Sequence, residues 1–317
     1  MTTLSNENPI YKLLEQRVGL MHLRQRLGVE SDHEAQIFGQ GLNFFHIENW
    51  YSIHSLIRNI LRLFLLHGRG KRNALAIEVR HNDIAIESLS DPFDGYTILH
   101  ISDLHLDVNG GMAQALAERV RGLEYDLCVL TGDFRAQTFG PYEPALKGMQ
   151  QVRAHLKDPV YGVLGNHDSI LMVPGLEEMG IDLLLNQSVS IKRDGAELYL
   201  AGIDDPHYYR ADNIEKASQE IPSGARSILL SHSPEIYRQA AHAGFDAMFC
   251  GHTHGGQICL PGGFPLLCNA RCAREYCAGA WRYHQLNGYT SRGSGVCVVD
   301  VRLNCPPEVT LHHLRKQ

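Results

Sequence analysis

No apolar run in this 317-residue chain is long enough to cross a bilayer. The best candidate, within residues 50–72, stays apolar for about 14 residues and is broken by charge, where a span needs about 20. A basic excess is also missing. Lys and Arg number 29 against 35 Asp and Glu, a net charge of −6, so no nucleic-acid partner is expected. Met1 is followed by polar residues rather than a basic start and an apolar stretch, so no secretory leader is expected. The 8 cysteines are then expected to be free thiols in a reducing compartment. Cys259, Cys268, Cys272 and Cys277 fall close together, but not at the spacing of C-x2-C zinc pairs, which leaves ordinary buried thiols. Internal repeats and low-complexity tracts are absent too. What is present is ordinary for a folded protein: 44% hydrophobic and 20% charged residues, in a chain long enough for one large domain with an appendage or for two.

Residues 1–73 read as an N-terminal helical segment. Leu13, Leu14, Val18, Leu20, Met21 and Leu23 recur at near-helical spacing and predict a helix from Pro9 to Leu27. Further on, Ile53, Leu56, Ile57, Ile60, Leu61, Phe64 and Leu65 make a single apolar stripe. Trp50 and Tyr51 precede it, Arg58 and Arg62 lie on the opposite face, and Arg69, Lys71 and Arg72 follow. Either this helix packs on the body of the protein, or it lies in a membrane interface with its basic residues at the headgroups. The Gly68-Arg69-Gly70-Lys71 stretch reads as a linker.

Residues 74–317 have the texture of an α/β domain. "ALAIEVRHNDIAIESL" alternates around an Asn-Asp pair and predicts a hairpin. Apolar runs then alternate with helical patterns at Tyr96–Ser102, Leu127–Thr131, Val160–Leu164, Leu198–Ile203, Ile228–Ser231 and Ala247–Cys250. A last pair, Val296–Val301 and Val309–His312, closes the chain. This order predicts an α/β or α+β layered domain with large sheets.

Five of these runs end in polar residues of one chemical kind. "SDLHL" gives Asp103 and His105, "TGDF" gives Asp133, "GNHD" gives Asn166, His167 and Asp168, "SHSP" gives His232, and "GHTHGG" gives His252 and His254. Ligands of such sheets gather outside the carboxyl ends of strands. Leaving His167 and Asp168 aside, the donors are two Asp, one Asn and four His. That is too many for one ion and suits two ions sharing a carboxylate. Oxygen and imidazole donors suit manganese, iron, zinc, cobalt or nickel. Imidazoles spaced by two leave a strand on the same side and can serve a pair of ions about 3.5–4 Å apart. Gly255 and Gly256 are expected to keep Cβ atoms out of the cleft.

The ordered set D-x-H, G-D, G-N-H-D, a lone H and G-H-x-H resembles the signature of the calcineurin-like metallophosphoesterases, from Asp103 to His254. "GHTHGGQICLP", "GIDDP" and "YTSRGSGVCVVDVRLNCPPEVTLHHL" resemble its bacterial phosphodiesterase branch, which is related to the UDP-2,3-diacylglucosamine hydrolases. Members of that branch usually carry an N-terminal membrane segment, where this chain has the interfacial-looking helix. The resemblance implies a four-layer αββα sandwich with an N-terminal helical extension. It implies one metal on Asp103, His105, Asp133 and His254 and a second on Asp133, Asn166, His232 and His252, the metals being manganese, iron or zinc. His167 would face the substrate and protonate the leaving oxygen. Asp168 either orients that imidazole or caps the turn.

The expected chemistry is hydrolysis of a phosphodiester or pyrophosphate by a hydroxide held between the ions. Weaker substrate-binding candidates are Arg135 and Tyr142, on a phosphate, and Arg271 and Arg274, on a diphosphate or acidic head group. His207, Tyr208 and Tyr209 are expected at the cleft rim, and His100 and His155 as structural or surface residues. A lipid-linked substrate such as UDP-2,3-diacylglucosamine follows from the resemblance and from the 50–72 helix, with the enzyme cytoplasmic and peripheral on the inner face of the membrane. A phosphomonoesterase or protein phosphatase would use the same ligands. A non-catalytic scaffold of the same fold is the remaining reading, set against a complete ligand set.

Overall fold

The structure, a computed structural model, describes residues 9–39 and 51–317, with side chains over 9–34 and 55–317. The strands are β1 (Glu78–Ile86), β2 (Thr97–Ile101), β3 (Leu127–Thr131), β4 (Val160–Val163), β5 (Asp182–Leu183), β6 (Gln187–Arg193), β7 (Ala196–Gly202), β8 (Ser227–Leu230), β9 (Ala247–Cys250), β10 (Cys259–Leu260), β11 (Phe264–Pro265), β12 (Gly279–Tyr283), β13 (Leu286–Thr290) and β14 (Glu308–Lys316). The helices are α1 (Pro9–Val18), α2 (Leu20–Gly39), α3 (Tyr51–Leu63), α4 (His67–Ala74), α5 (Met112–Val120), α6 (Glu143–Arg153), α7 (Val173–Glu178), α8 (Ile214–Ser218) and α9 (Tyr237–His242).

Two six-stranded sheets form, in the orders β1-β14-β2-β3-β4-β5 and β12-β13-β9-β8-β7-β6. Strands β2 to β5 run parallel, as do β7, β8, β9 and β13. Alternation of side chains across each strand makes the layers. Leu99, Ile101, Cys128 and Leu130 pack with Met112 and Leu116 of α5, Met149 and Val152 of α6, and Leu176 of α7. Their neighbours Ile98 and Val129 face the second sheet, meeting Leu200, Ile228, Leu230 and Phe249. On the far side Ala201, Leu229 and Met248 pack on Ala217 of α8 and on Ala240 and Ala241 of α9. The expected αββα sandwich is therefore present. Tyr11, Leu14, Val18 and Leu23 of the first two helices join the first of these clusters.

Several local expectations differ. The predicted Pro9–Leu27 helix is two helices broken at Gly19, whose φ of 86° leaves the helical region. The 78–86 stretch is no hairpin but one strand, paired in parallel with β14 along its whole length. Asn82 and Asp83 spend their side chains on that partner, Asn82 on His312 and Asp83 on Arg315, instead of closing a turn. The stretch read as a linker is helix α4. Its Gly70 lies so near β-branched Val301 that a Cβ would come within 2.7 Å, which explains a glycine inside a helix. Val296–Val301 is not a strand: its chain turns at Val298, and Val299 and Val301 pack under Leu61 of α3.

The α3 stripe divides. Leu61 is buried and Ile57 half-buried against Val299, Val301 and Leu303, while Leu56, Ile60, Leu63, Phe64 and Leu65 are exposed. Trp50 lies outside the described residues.

Candidate metal centre

The candidate ligands come from loops at the carboxyl ends of β2, β3, β4, β8 and β9, and those loops are stitched together. Asp103 N–H donates to the Gly132 carbonyl (3.0 Å), His105 N–H to the Asp133 carbonyl (3.0 Å) and Gly251 N–H to the His232 carbonyl (2.8 Å). The backbone is tight enough that Asp103, His105, Asp133, His252 and His254 all have φ between 43° and 73°. Positive φ in non-glycine residues is uncommon, tolerated best by Asn, Asp and His, and gathers at functional sites. A Cβ on Gly165 would stand 2.2 Å from Asp133 Oδ1, so only glycine leaves room for that carboxylate.

All seven candidate ligands are buried and converge on two groups of donors. In one, His105 Nε2 lies 3.1 Å from His254 Nε2 and 3.7 Å from Asp133 Oδ2, and His254 Nε2 lies 3.4 Å from Asp103 Oδ1. In the other, His232 Nε2 lies 3.3 Å from Asp133 Oδ2 and 2.9 Å from Asn166 Oδ1. His252 Nδ1 lies 2.7 Å from that same oxygen. Ligands about 2.1 Å from one ion stand about 3.4 Å apart in a tetrahedron. The spacings among Asp103, His105, Asp133, His232 and His254, 3.1–3.7 Å, lie about that value, those to Asn166 Oδ1 are shorter at 2.7 and 2.9 Å, and Asp133 Oδ2 belongs to both groups.

The chemistry of the donors fits cations. His105 Nδ1 donates to the Arg135 carbonyl (2.8 Å) and His232 Nδ1 to the Thr131 carbonyl (2.7 Å), which turns each Nε2 inward. His252 instead turns Nδ1 toward Asn166 Oδ1, and its other nitrogen, Nε2, is buried without a hydrogen-bond partner. Burial pushes the His105 imidazole down to about 3, and His252 and His254 well below the usual range, leaving neutral rings with a free lone pair. Burial pushes the Asp103 carboxyl up to about 6, with Asp133 adding to the effect, a crowding that cations would relieve. Burial also acts to raise Asp133, but His232 and then His167 outweigh it and hold it well below the carboxylate range.

His167 borders this centre. Its Nε2 lies 3.9 Å from Asp133 Oδ2, and its N–H donates to Asp133 Oδ1 (2.9 Å). Of the two readings of Asp168, the turn is the one its contacts favour. Its carboxylate accepts the N–H groups of Asp133 (2.7 Å), Phe134 (2.9 Å) and Gly165 (2.8 Å) and so holds the loop that carries Asp133.

Other expectations are reordered. Arg135 is buried, and its guanidinium donates to the carbonyls of His167, Gly140 and Thr138, so it braces loops instead of meeting a phosphate. Half-buried Tyr142 packs against the core. The His207 ring lies 4.1 Å from that of His252, tilted by 47°, while bonding Glu235 (2.9 Å). With Tyr208, Tyr209 and Arg271 it lines a cavity of about 470 Å³. Arg274 stacks on Phe264. Gly255 and Gly256 do not open the cleft; they admit the chain that follows, since a Cβ on Gly256 would stand 2.5 Å from Pro265 Cβ. His100 is buried between the sheets against Phe249 and His312, and His155 is on the surface near Arg121. Among the clustered cysteines, Cys272 and Cys277 have sulfurs 4.0 Å apart.

Sequence reasoning missed three contributors. Arg26 of α2, fully buried, donates to the Asp168 carbonyl (2.9 Å). Arg302, also fully buried, donates to the carbonyls of His254 (2.9 Å), Arg292 (2.7 Å) and Gly295 (2.6 Å). Cys297 brings a thiol within 4.8 Å of donor atoms of His105 and His254. A single Arg or Cys far from the motifs carries no spacing signal.

The family model of the calcineurin-like phosphoesterases matches residues 96–256, the stretch that supplies every candidate ligand. The chain belongs to that family, and it is a metal-dependent phosphoester hydrolase. An uncharacterized metallophosphoesterase of Bacillus subtilis, YkoQ, is 32% identical over 261 residues, 77% of this chain and 93% of its own. The phosphodiesterase YaeI of Escherichia coli is 27% identical over 253 residues, 74% of this chain and 87% of its own. Among solved structures, the sulfate thiohydrolase SoxB of Thermus thermophilus aligns over 66% of this chain and 53% of that one, at 13% identity and a TM-score of 0.43.

Proposed function

We propose that this chain hydrolyses phosphodiester or pyrophosphate bonds at a two-ion centre of manganese, iron or zinc. Asp103, His105, Asp133 and His254 hold one ion, and Asp133, Asn166, His232 and His252 the other. The observation that carries this reading is Asp133 Oδ2, within 3.7 Å of His105 Nε2 and 3.3 Å of His232 Nε2. When bound, the ions would lower the pKa of a water between them and neutralise phosphate charge. Asp168 keeps Asp133 in position through the backbone. His167, beside Asp133, gives a proton to the leaving oxygen, a contribution of about 10²–10⁴ in rate.

The diester preference is supported by the similarity to YaeI. A nucleotide-like head group is supported by the cavity beside His207, whose volume of about 470 Å³ is that of a small-molecule site and whose wall includes Arg271. A lipid-linked substrate, such as UDP-2,3-diacylglucosamine, is supported by apolar side chains on two adjoining segments. Leu56, Ile60 and Phe64 of the α3 region and Leu260, Phe264, Leu266 and Leu267 around β10 and β11 are exposed. These segments meet through residues 298–303, which pack on α3 and whose Leu303 carbonyl accepts the Cys259 N–H (2.8 Å). Exposed apolar patches with basic neighbours suit a membrane interface. The helical segment up to residue 73 then serves as an extension of the phosphoesterase domain that begins at residue 74, its first two helices sharing that domain's core, and the enzyme works at the cytoplasmic face.

Purified protein should hold two metal ions per chain and turn over bis-p-nitrophenyl phosphate faster than p-nitrophenyl phosphate. Asp133→Asn should lose both metal and turnover, and His167→Ala should keep the metal and lose turnover. A faster monoester rate would move the assignment to a phosphomonoesterase. Full activity in both variants would end the enzyme reading.

A further inference from the structure

Cys297 stands on the His105–His254 side of the centre. One donor atom from each of these three residues lies within 4.8 Å of the other two. The two imidazoles are buried, and the thiol is half-buried with its sulfur 3.9 Å from His167 Nε2. The thiol is held there by Gln257, the residue that follows the H-x-H turn. Gln257 accepts the Cys297 N–H (2.8 Å) and donates to the carbonyls of Cys297 (2.7 Å) and Val299 (2.9 Å). The next residue, β-branched Val298, has φ of 65°, a conformation such residues rarely adopt.

We propose that Cys297 is a further ligand of the ion held by His105 and His254, binding as a thiolate whose proton passes to solvent on metal uptake. The proposal rests on the two-ion reading above. Ligands about 2.0–2.3 Å from one ion stand about 3.3–3.8 Å apart; the two imidazole nitrogens stand 3.1 Å apart, and the sulfur, within 4.8 Å of both, would move inward by up to about 1 Å to bind as a fifth ligand beside Asp103 and Asp133. The two positions then differ. The one with Cys297 favours zinc, iron or cobalt over manganese or magnesium, because thiolate is a soft ligand, while Asn166, His232 and His252 offer oxygen and nitrogen alone.

The test loads the full chain with cobalt and counts cobalt per chain alongside its absorption spectrum. Two cobalt ions with an intense near-ultraviolet sulfur-to-cobalt charge-transfer band, and Cys297→Ser with two ions and no band, are expected. The same band in Cys297→Ser, or no band in a wild-type chain holding two ions, overturns the role of Cys297 and leaves the two-ion reading standing. Fewer than two ions in both proteins overturns both. A second measurement needs no variant. Iodoacetamide labelling, read peptide by peptide, should modify Cys297 in metal-free protein and at least tenfold more slowly after cobalt is added, with Cys268 and Cys272 unchanged. Equal labelling of Cys297 in both states overturns the proposal.

Discussion

Helices α2 and α3 both belong to the N-terminal segment, and they are held in different ways. In α2 polar residues share the attaching with Leu23 and Leu27. Arg26 is fully buried, stacked on Tyr209 (3.3 Å) and paired with Asp204 (3.3 Å) and Glu30 (3.2 Å). Glu30 in turn accepts from Ser169 Oγ (2.6 Å) and Ile170 N–H (2.8 Å), just past the G-N-H-D turn. In α3 the attachment is apolar and partial: Leu61 and Ile57 go inward while Leu56, Ile60 and Phe64 stay in solvent. The helix with the clear apolar stripe is the less covered one. The helix with no clean stripe is anchored to the loops of the metal centre, so stripe quality does not report how a helix is held.

The comparison breaks most severely at Arg26. Arg26→Ala leaves the buried Asp204 carboxylate with His22 as its remaining side-chain partner, which costs up to about 3–5 kcal/mol, and it frees the Asp168 carbonyl. Urea unfolding should read a loss of that size, with reduced turnover of bis-p-nitrophenyl phosphate. Arg62→Ala on exposed α3 should fall within about 0.5 kcal/mol of wild type. Equal losses would mean that α2 is no better anchored than α3.

Next in size is the α3 surface. Leu56→Glu with Ile60→Glu changes exposed side chains, at 58% and 45% accessibility, so folding and soluble turnover should hold within about twofold. Co-sedimentation with anionic phospholipid vesicles should fall by about tenfold or more, since two apolar anchors become charges at a negatively charged surface. Unchanged sedimentation would remove the membrane role from α3.

The pH dependence of stability sharpens the α2 side. Burial works to raise the Asp204 carboxyl, but Arg26 and His22 outweigh it and hold it below its ordinary value of 3.8. A depressed carboxyl contributes stability that is present above 3.8 and lost as the pH falls through the folded value. Asp204→Asn should therefore lower stability at pH 7 and flatten its decline on the acid side, in a series of denaturant titrations. An acid limb as steep as that of wild type would assign the decline to other carboxylates.

The convergence of the candidate ligands was legible from sequence because they follow short apolar runs in a fixed order, and strand ends fix their direction. The layers were legible for a similar reason: the runs at Leu127–Thr131 and Ala247–Cys250 coincide with β3 and β9. What was not legible depends on partners distant in the chain. Asn82 and Asp83 looked like a turn because their partners, His312 and Arg315, lie at the far end of the sequence. Gly70 looked like a linker because the close approach of Val301 is invisible in local pattern. Arg26, Arg302 and Cys297 are lone residues outside the motifs, with no periodicity behind them.

The smallest effect sets α2 against α3 most directly. An ion on Asp133 is coupled to α2 by a short chain of bonds: Asp133 and Phe134 N–H to the Asp168 carboxylate, and the Asp168 carbonyl to Arg26. Ligand at a hundred times its dissociation constant stabilises the native state by about 2.7 kcal/mol, and local openings that release Arg26 inherit part of that. Adding manganese should therefore slow hydrogen exchange of α2 amides by up to about tenfold and leave those of α3 within about twofold. Among the described side chains, α3 packs on the 298–303 segment through Leu61 and Ile57, apolar contacts that include no candidate ligand. Equal slowing of both helices would mean that they open only in global unfolding. Slowing of α3 alone would mean that the path from the ion runs through Val298 and Val299, on the Cys297 side.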